Sequence, residues 1–155
     1  MKILLIIIIY IHKITTKHFS KIFITKTDLL EKSRVVNPAK DERTFHIFYH
    51  LLGGADQALL DKLHLTRNFS DYEYLKKSNC TTVPGLNDKT QFDAINNALD
   101  CIGFKQDQKD TLFKCISAIL HVGNLKYKKD ESDDDKAIIE NPERTYLFYY
   151  STIKN

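Results

Sequence analysis

Apolar residues recur at helical spacing in four stretches of this chain. Phe45, Phe48, Tyr49 and Leu52 fall at i, i+3, i+4 and i+7 and make one apolar stripe. The stripe predicts a helix from about Glu42 to Leu52, with Asp41 as N-cap after Asn37-Pro38 and Gly53-Gly54 as its stop. A shorter helix is expected over Asp56 to Leu63, where Leu59, Leu60 and Leu63 lie on one side. Asp88 and Gln91 stand at capping-box spacing and open a third, with Phe92, Ile95, Leu99 and Ile102 on one face and Gly103 as its end. The fourth begins near Asp107, carries Leu112, Phe113, Ile116, Ile119 and Leu120, and stops at Gly123-Asn124.

Between the helices the pattern gives loops and little strand. Leu125 to Tyr127 reads as a short strand, Cys80 to Asn87 as a loop broken by Pro84-Gly85, and Ser132 to Asp135 as a solvated charged loop. The fold class is therefore mainly α, with four amphipathic helices and one or two short strands.

The two ends differ from the middle. Ile3 to Ile11 is an unbroken apolar run, too short for the roughly 20 residues that a membrane-spanning helix needs. It has the length of a signal-peptide core, but HKITTKHFSK follows it with no small-x-small cleavage site. Residues 1–27 contain five lysines and no acid, so they carry +5, and the rest of the chain carries −2 of the formal net +3. That remainder shows no clustered basic face with interleaved aromatics, so nucleic acid is not an expected partner. Ile, Lys, Thr, Leu, Phe, His and Tyr make up almost all of residues 1–27, a composition expected of AT-rich sequence translated in error, and residues 144–155 have similar character.

Little chemistry is legible. Cys80, Cys101 and Cys115 form no C-x-x-C pair, which argues for reduced structural thiols over a zinc site. The acidic run from Asp130 to Asp135 fails as a calcium loop, since positions six and twelve counted from Asp130 are Asp135 and Asn141. No glycine is followed by lysine anywhere, so a phosphate-cradling P-loop is absent from these residues.

One stretch is more specific. Leu29, Leu30, Glu31, Lys32, Ser33, Arg34, Val35 and Val36 are followed by Glu42, Arg43, Phe45, His46, Ile47, Phe48, Tyr49, Leu51 and Leu52. Further on come Tyr72, Tyr74 and Leu75, then Phe92, Ala98, Leu99, Gly103 and Phe104. Last come Ile119, Leu120, His121, Gly123, Asn124 and Leu125, with Val122 and Tyr127 as departures from the pattern. In order and spacing this resembles the myosin motor head, over residues 28–143 and flanked by tails 1–27 and 144–155.

The resemblance implies a fragment of the larger α/β P-loop motor domain, taken from its upper part. It implies a parent that binds and hydrolyses ATP with Mg²⁺, moves along actin filaments and works in the cytoplasm on the cytoskeleton. No catalytic, cofactor or metal residue falls in this fragment. Asp100 to Lys105 only faintly matches the family's second switch, and Gly103 is better read as a helix stop. The residues that carry the family pattern, Glu31, Arg34, Glu42, Arg43, His46, Tyr49, Gly103, Phe104, His121, Gly123 and Asn124, are expected to be structural. Among them Glu31, Arg34, Glu42 and Arg43 should form buried or semi-buried ion pairs bracing a turn from a strand over Leu29–Val36 into the first helix. His46 and His121 are expected as satisfied core histidines. The fragment should lack ATPase activity and leave apolar faces exposed where the rest of the head would pack. The alternative is a free-standing helical binding module, secreted or held at a membrane by its apolar N-terminus.

Overall fold

The computed structural model describes residues 32–77 and 79–145, all but the first within one compact unit, Ser33–Asn155. Leu29, Leu30 and Glu31, the start of the first matching motif, lie outside the described residues. Eight named elements and one 3₁₀ turn are used below: α1 (Lys32–Val36), α2 (His46–Gly54), α3 (Gln57–Lys62), the 3₁₀ turn Phe69–Asp71, α4 (Glu73–Lys76), α5 (Asp88–Cys101), α6 (Gln106–Gly123), β1 (Tyr127–Asp130) and β2 (Asp133–Ile139).

The expected strand over Leu29–Val36 is corrected where it is described, because Lys32–Val36 is helical. The two strands among the described residues pair only with each other, at the far end of the sequence. A strand with no neighbour would leave its N–H and C=O groups unpaired, whereas a helical turn satisfies them locally.

The first long helix also starts later than its apolar stripe suggests. Asp41 adopts φ 62° and belongs to a left-handed turn, not to an N-cap. Phe45 is the N-cap of α2, without a side-chain cap. Arg43 and Thr44 are thereby kept out of the helix and buried. At the other end Gly53 and Gly54 lie inside α2 instead of stopping it. Their role is close approach: a Cβ on Gly54 would sit 2.4 Å from Phe92 Cβ and 2.8 Å from the Asp88 carbonyl oxygen. α2 packs against α5 through this contact region and also meets α6.

The other helices follow their local signals closely. Asp56 caps α3, its carboxylate accepting from Leu59 N at 2.7 Å. His64, at φ 54°, closes α3 in a Schellman pattern: its N–H bonds to Asp61 O at 3.1 Å, and Leu65 N–H to Leu60 O at 2.8 Å. Asn87, not Asp88, caps α5, accepting from Thr90 N at 3.1 Å. α5 ends at Gly103 with φ 84°, where Gly103 N bonds to Asp100 O and Phe104 N to Leu99 O. α6 begins after Lys105, whose N–H donates to Gln108 Oε1 at 2.9 Å, and its C-cap is Asn124.

The charged segment expected as a loop is largely strand. β1 and β2 form an antiparallel hairpin with Tyr127 opposite Ile139 and Lys129 opposite Ala137. Its turn is held by Asp130, whose Oδ1 accepts from Ser132 N at 2.9 Å and Ser132 Oγ at 2.6 Å. Strands exposed to water need no alternation of apolar residues, and that is why the period-two signal is missing.

The core joins Phe48, Tyr49, Leu51 and Leu52 of α2 to Leu60, Leu63 and Leu65, Tyr72 and Leu75, Phe92, and Phe113, Ile116 and Leu120 of α6. Of the α5 stripe only Phe92 is buried, while Ile95, Leu99 and Ile102 are half-buried. Among the described residues the large hydrophobics that remain exposed are Val36, Tyr127 and Ile138.

Candidate functional site: the Asp88 clasp

Three separate segments meet at Asp88. Asp88 is the first residue of α5, and its cap position is already filled by Asn87, so its carboxylate is free to reach sideways. Arg43 Nη1 donates to Oδ1 at 2.8 Å and Nη2 to Oδ2 at 2.9 Å, a bidentate pair. His50 Nδ1 lies 2.8 Å from the same Oδ1. Because a carboxylate only accepts, that imidazole nitrogen carries the hydrogen. Arg43 Nη2 also donates to the Thr81 carbonyl, which ties in the loop before α5.

The Arg43 side chain is 2% exposed and Asp88 16%, so the pair is largely removed from water. The guanidinium carbon stands 4.3 Å from the centroid of the Tyr49 ring, whose face stabilises the cation. Burial pushes the Asp88 carboxyl up, but the hydrogen bonds from Arg43 and His50 outweigh it and hold the group below its usual value. The carboxylate is consumed by its donors. What this arrangement can do chemically is fix three chain segments, not move protons.

His46 lies one turn before His50, with ring centroids 5.7 Å apart. It is exposed and not the core histidine expected, because the helix begins at His46 and turns it outward. Partial burial of the ring, then the nearby His50 and Arg43, lowers its pKa. Arg34 and Glu42 do pair, at 3.3 Å; Arg34 is half-buried, but Glu42, its side chain 55% exposed, is not, so the expected burial is corrected for Glu42. The turn they brace stays at the surface.

A second polar junction surrounds Asn124. Its side-chain oxygen accepts from Glu73 N at 2.9 Å, and its amide donates to Asp71 O at 2.7 Å. Its backbone oxygen accepts from Asn141 Nδ2 at 2.9 Å, and Asn141 Oδ1 accepts from Lys126 N at 2.8 Å. One residue thus binds the 3₁₀ turn, α4 and the foot of the hairpin. His121 is buried, with Nε2 3.2 Å from Leu63 O, and Ser117 Oγ donates to the same oxygen at 2.8 Å. Gly123 is required because a Cβ there would lie 2.6 Å from the Tyr74 ring. Phe104 is half-buried beyond the α5 stop. His121, Asn124 and Asn141 line an open cleft of about 650 Å³ together with Tyr72, Lys126 and Arg144.

Of the residues singled out from sequence, Arg43 and Tyr49 belong to the clasp, and His121, Gly123 and Asn124 to the second junction. Gly103 and Phe104 close α5 elsewhere. His50, Thr81 and Asp88 complete the clasp and were not anticipated as partners. Among the described residues no group of three or more His, Cys, Asp or Glu side chains is arranged to hold a metal ion, and no helix is long and apolar enough to cross a membrane.

The family model described as myosin head (motor domain) matches residues 13–151. The chain belongs to the myosin head family. The match takes in part of both compositionally distinct tails as well as the helical middle. Among curated myosins, myosin-52 of Schizosaccharomyces pombe is 40% identical over 108 residues, 70% of this chain and 7% of that protein. Unconventional myosin-Ic-A of Xenopus laevis is 39% identical over 113 residues, 73% of this chain and 11% of that protein. Myosin IE heavy chain of Dictyostelium discoideum is 44% identical over 99 residues, 64% of this chain and 10% of that protein. The chain therefore spans about a tenth of the length of the myosins it matches.

Proposed function

We propose that these residues form a structural helical part of an actin-based motor head whose parent hydrolyses Mg-ATP, and that they supply no catalytic group themselves. Family membership carries the first half of this reading. The second rests on the clasp, where the most buried charged pair among the described residues joins chain segments.

The residues present do not fit Mg-ATP. A phosphate cradle needs glycine backbone amides open to the ligand and a lysine beside them. Here Gly53 and Gly54 face α5, Gly123 faces Tyr74, Gly103 closes a helix, and Gly85, which is open, is followed by Leu86. None of the five glycines precedes a lysine. No step of ATP hydrolysis is assigned to this chain. Its partners on this reading are the remainder of the motor head and, through the parent, actin filaments of the cytoplasmic cytoskeleton.

The test is steady-state phosphate release from Mg-ATP, with and without actin filaments, by the 155-residue chain and by a full-length motor that contains it. The expected result is turnover and actin activation in the motor and background release by the chain. Actin-activated turnover by the chain alone would overturn the reading.

A further inference from the structure

We infer that the cleft beside Asn124 takes a small zwitterion of the amino-acid class, its carboxylate against Lys126 and Arg144 and its N–H donors toward His121. This cleft shares no residue with the Asp88 clasp and does not depend on the motor reading above.

Charge comes first. Among the described lining residues Lys76, Lys126 and Arg144 are basic, and Asp71, Glu73 and Glu143 are acidic. A wall of balanced charge disfavours a polyphosphate and suits a ligand that carries both signs. Part of this charge is already spent. Lys76 Nζ donates to Glu73 Oε1 at 2.8 Å, and Asp71 accepts from Thr66 Oγ1 and from Asn68 Nδ2. Lys126, Arg144 and Glu143 have no ion-pair partner among the described residues.

His121 supplies the deciding group. It lines the cleft although its residue is only 3% exposed. Its Nε2 stands 3.2 Å from Leu63 O, and because a carbonyl only accepts, Nε2 carries the ring hydrogen. Burial, and after it the charges of His64 and Arg144, hold the ring below its ordinary pKa against the bond to Leu63, so it is neutral at neutral pH. Nδ1 is then a bare acceptor. It has no partner among the described residues and is not one of the sealed polar atoms of the interior, so its lone pair opens on the cleft. A buried acceptor without a donor is unfavourable, and a ligand N–H relieves it.

The cationic side is held by one residue. Asn141 Oδ1 accepts from Lys126 N at 2.8 Å and Asn141 O from Arg144 N at 3.0 Å, which brings both cations to the same edge. The Arg144 charge is felt at His121 and at Tyr72, so its guanidinium faces the cleft that both of them line. The volume of about 650 Å³ lies within the range of small-molecule sites and leaves room for a polar side chain beside Thr66 and Ser70.

Amide and imidazole NMR spectra of the 155-residue chain titrated with L-glutamine test this site. Saturable shifts are expected at the side-chain amides of Asn124 and Asn141 and at the His121 ring, with a Kd on the order of 1 mM. N-acetylglutamine, which lacks the ammonium, and glutaminamide, which lacks the carboxylate, should each bind about tenfold more weakly. Lys126→Gln and Arg144→Gln, at exposed positions, should each weaken glutamine about two- to fivefold. His121→Gln keeps a donor for Leu63 O but removes the Nδ1 acceptor, and should weaken it about tenfold. Lys128→Gln, outside the cleft, should leave the affinity unchanged. The absence of saturable shifts, equal binding of the three probes, or indifference to both Lys126→Gln and Arg144→Gln would overturn the assignment.

Discussion

Arg43 and Asp88, separated by 45 residues, meet through two parallel hydrogen bonds of 2.8 and 2.9 Å with the arginine side chain only 2% exposed. A buried pair of this kind is weak support against an apolar replacement of both partners, because its desolvation cost is large. Breaking it from one side is different, since a charge is then left in the interior without an answer. Asp88→Asn should therefore destabilise the chain by roughly 3–5 kcal/mol. Glu42→Gln, which breaks the exposed pair with Arg34, should cost about 1 kcal/mol or less. Urea midpoints of the two variants check the ranking, and equal midpoints would remove the clasp from the account.

The glycines of α2 make a second prediction. Alanine at an exposed helix interior normally gains up to about 1 kcal/mol over glycine. At Gly54 the added Cβ would come within 2.4 Å of Phe92 Cβ, a contact only a backbone shift relieves. Gly54→Ala should thus destabilise by about 1–3 kcal/mol despite the better propensity. Gly103→Ala should cost about 1 kcal/mol for another reason, its φ of 84°. Thermal unfolding of both variants decides it.

Asn124 is the third test. Truncation to alanine would leave Glu73 N–H and Asp71 C=O without their partner. Both bonds are part-buried, so the loss should be about 1–3 kcal/mol in all. Amide exchange should accelerate at Glu73 to Lys76 more than in α5 of the same variant, because α4 loses its tie to α6.

Stability should also fall in mild acid. Burial lowers the His121 pKa below the ordinary 6.5, and partial burial with nearby His50 and Arg43 lowers that of His46. Both groups favour the neutral form in the folded state, so their contribution is present above 6.5 and is lost as pH falls through the folded values. The Asp88 carboxyl, held below 3.8 by Arg43 and His50 against the opposing effect of burial, adds a later loss as pH falls through its own folded value. Urea midpoints between pH 8 and 5 check the first phase. His121→Gln should flatten the slope there.

The helices were legible where the chemistry that ends them is local. Asp56, Gly103 and Asn124 each act within about four residues of the boundary they set, so sequence spacing suffices to place α3, the end of α5 and the end of α6. The glycine pair of α2 misled, since a helix stop and a close helix approach use the same residue and only packing tells them apart. Asp88 misled similarly. Read locally it is a capping residue, and with Asn87 just before it either could cap. The choice is made by Arg43, a residue 45 positions away that no local window contains. The hairpin was hidden because water covers it, which removes the apolar alternation that marks half-buried strands.

The central claim is that the polar residues of this myosin-head segment hold helices together and do not hold nucleotide. Thermal unfolding of the 155-residue chain with and without millimolar Mg-ATP tests it most directly. A ligand bound to the folded state raises stability by about 2.7 kcal/mol when present at 100 times its Kd. The account predicts coincident melting curves with and without nucleotide. A saturable rise in Tm with Mg-ATP would contradict it.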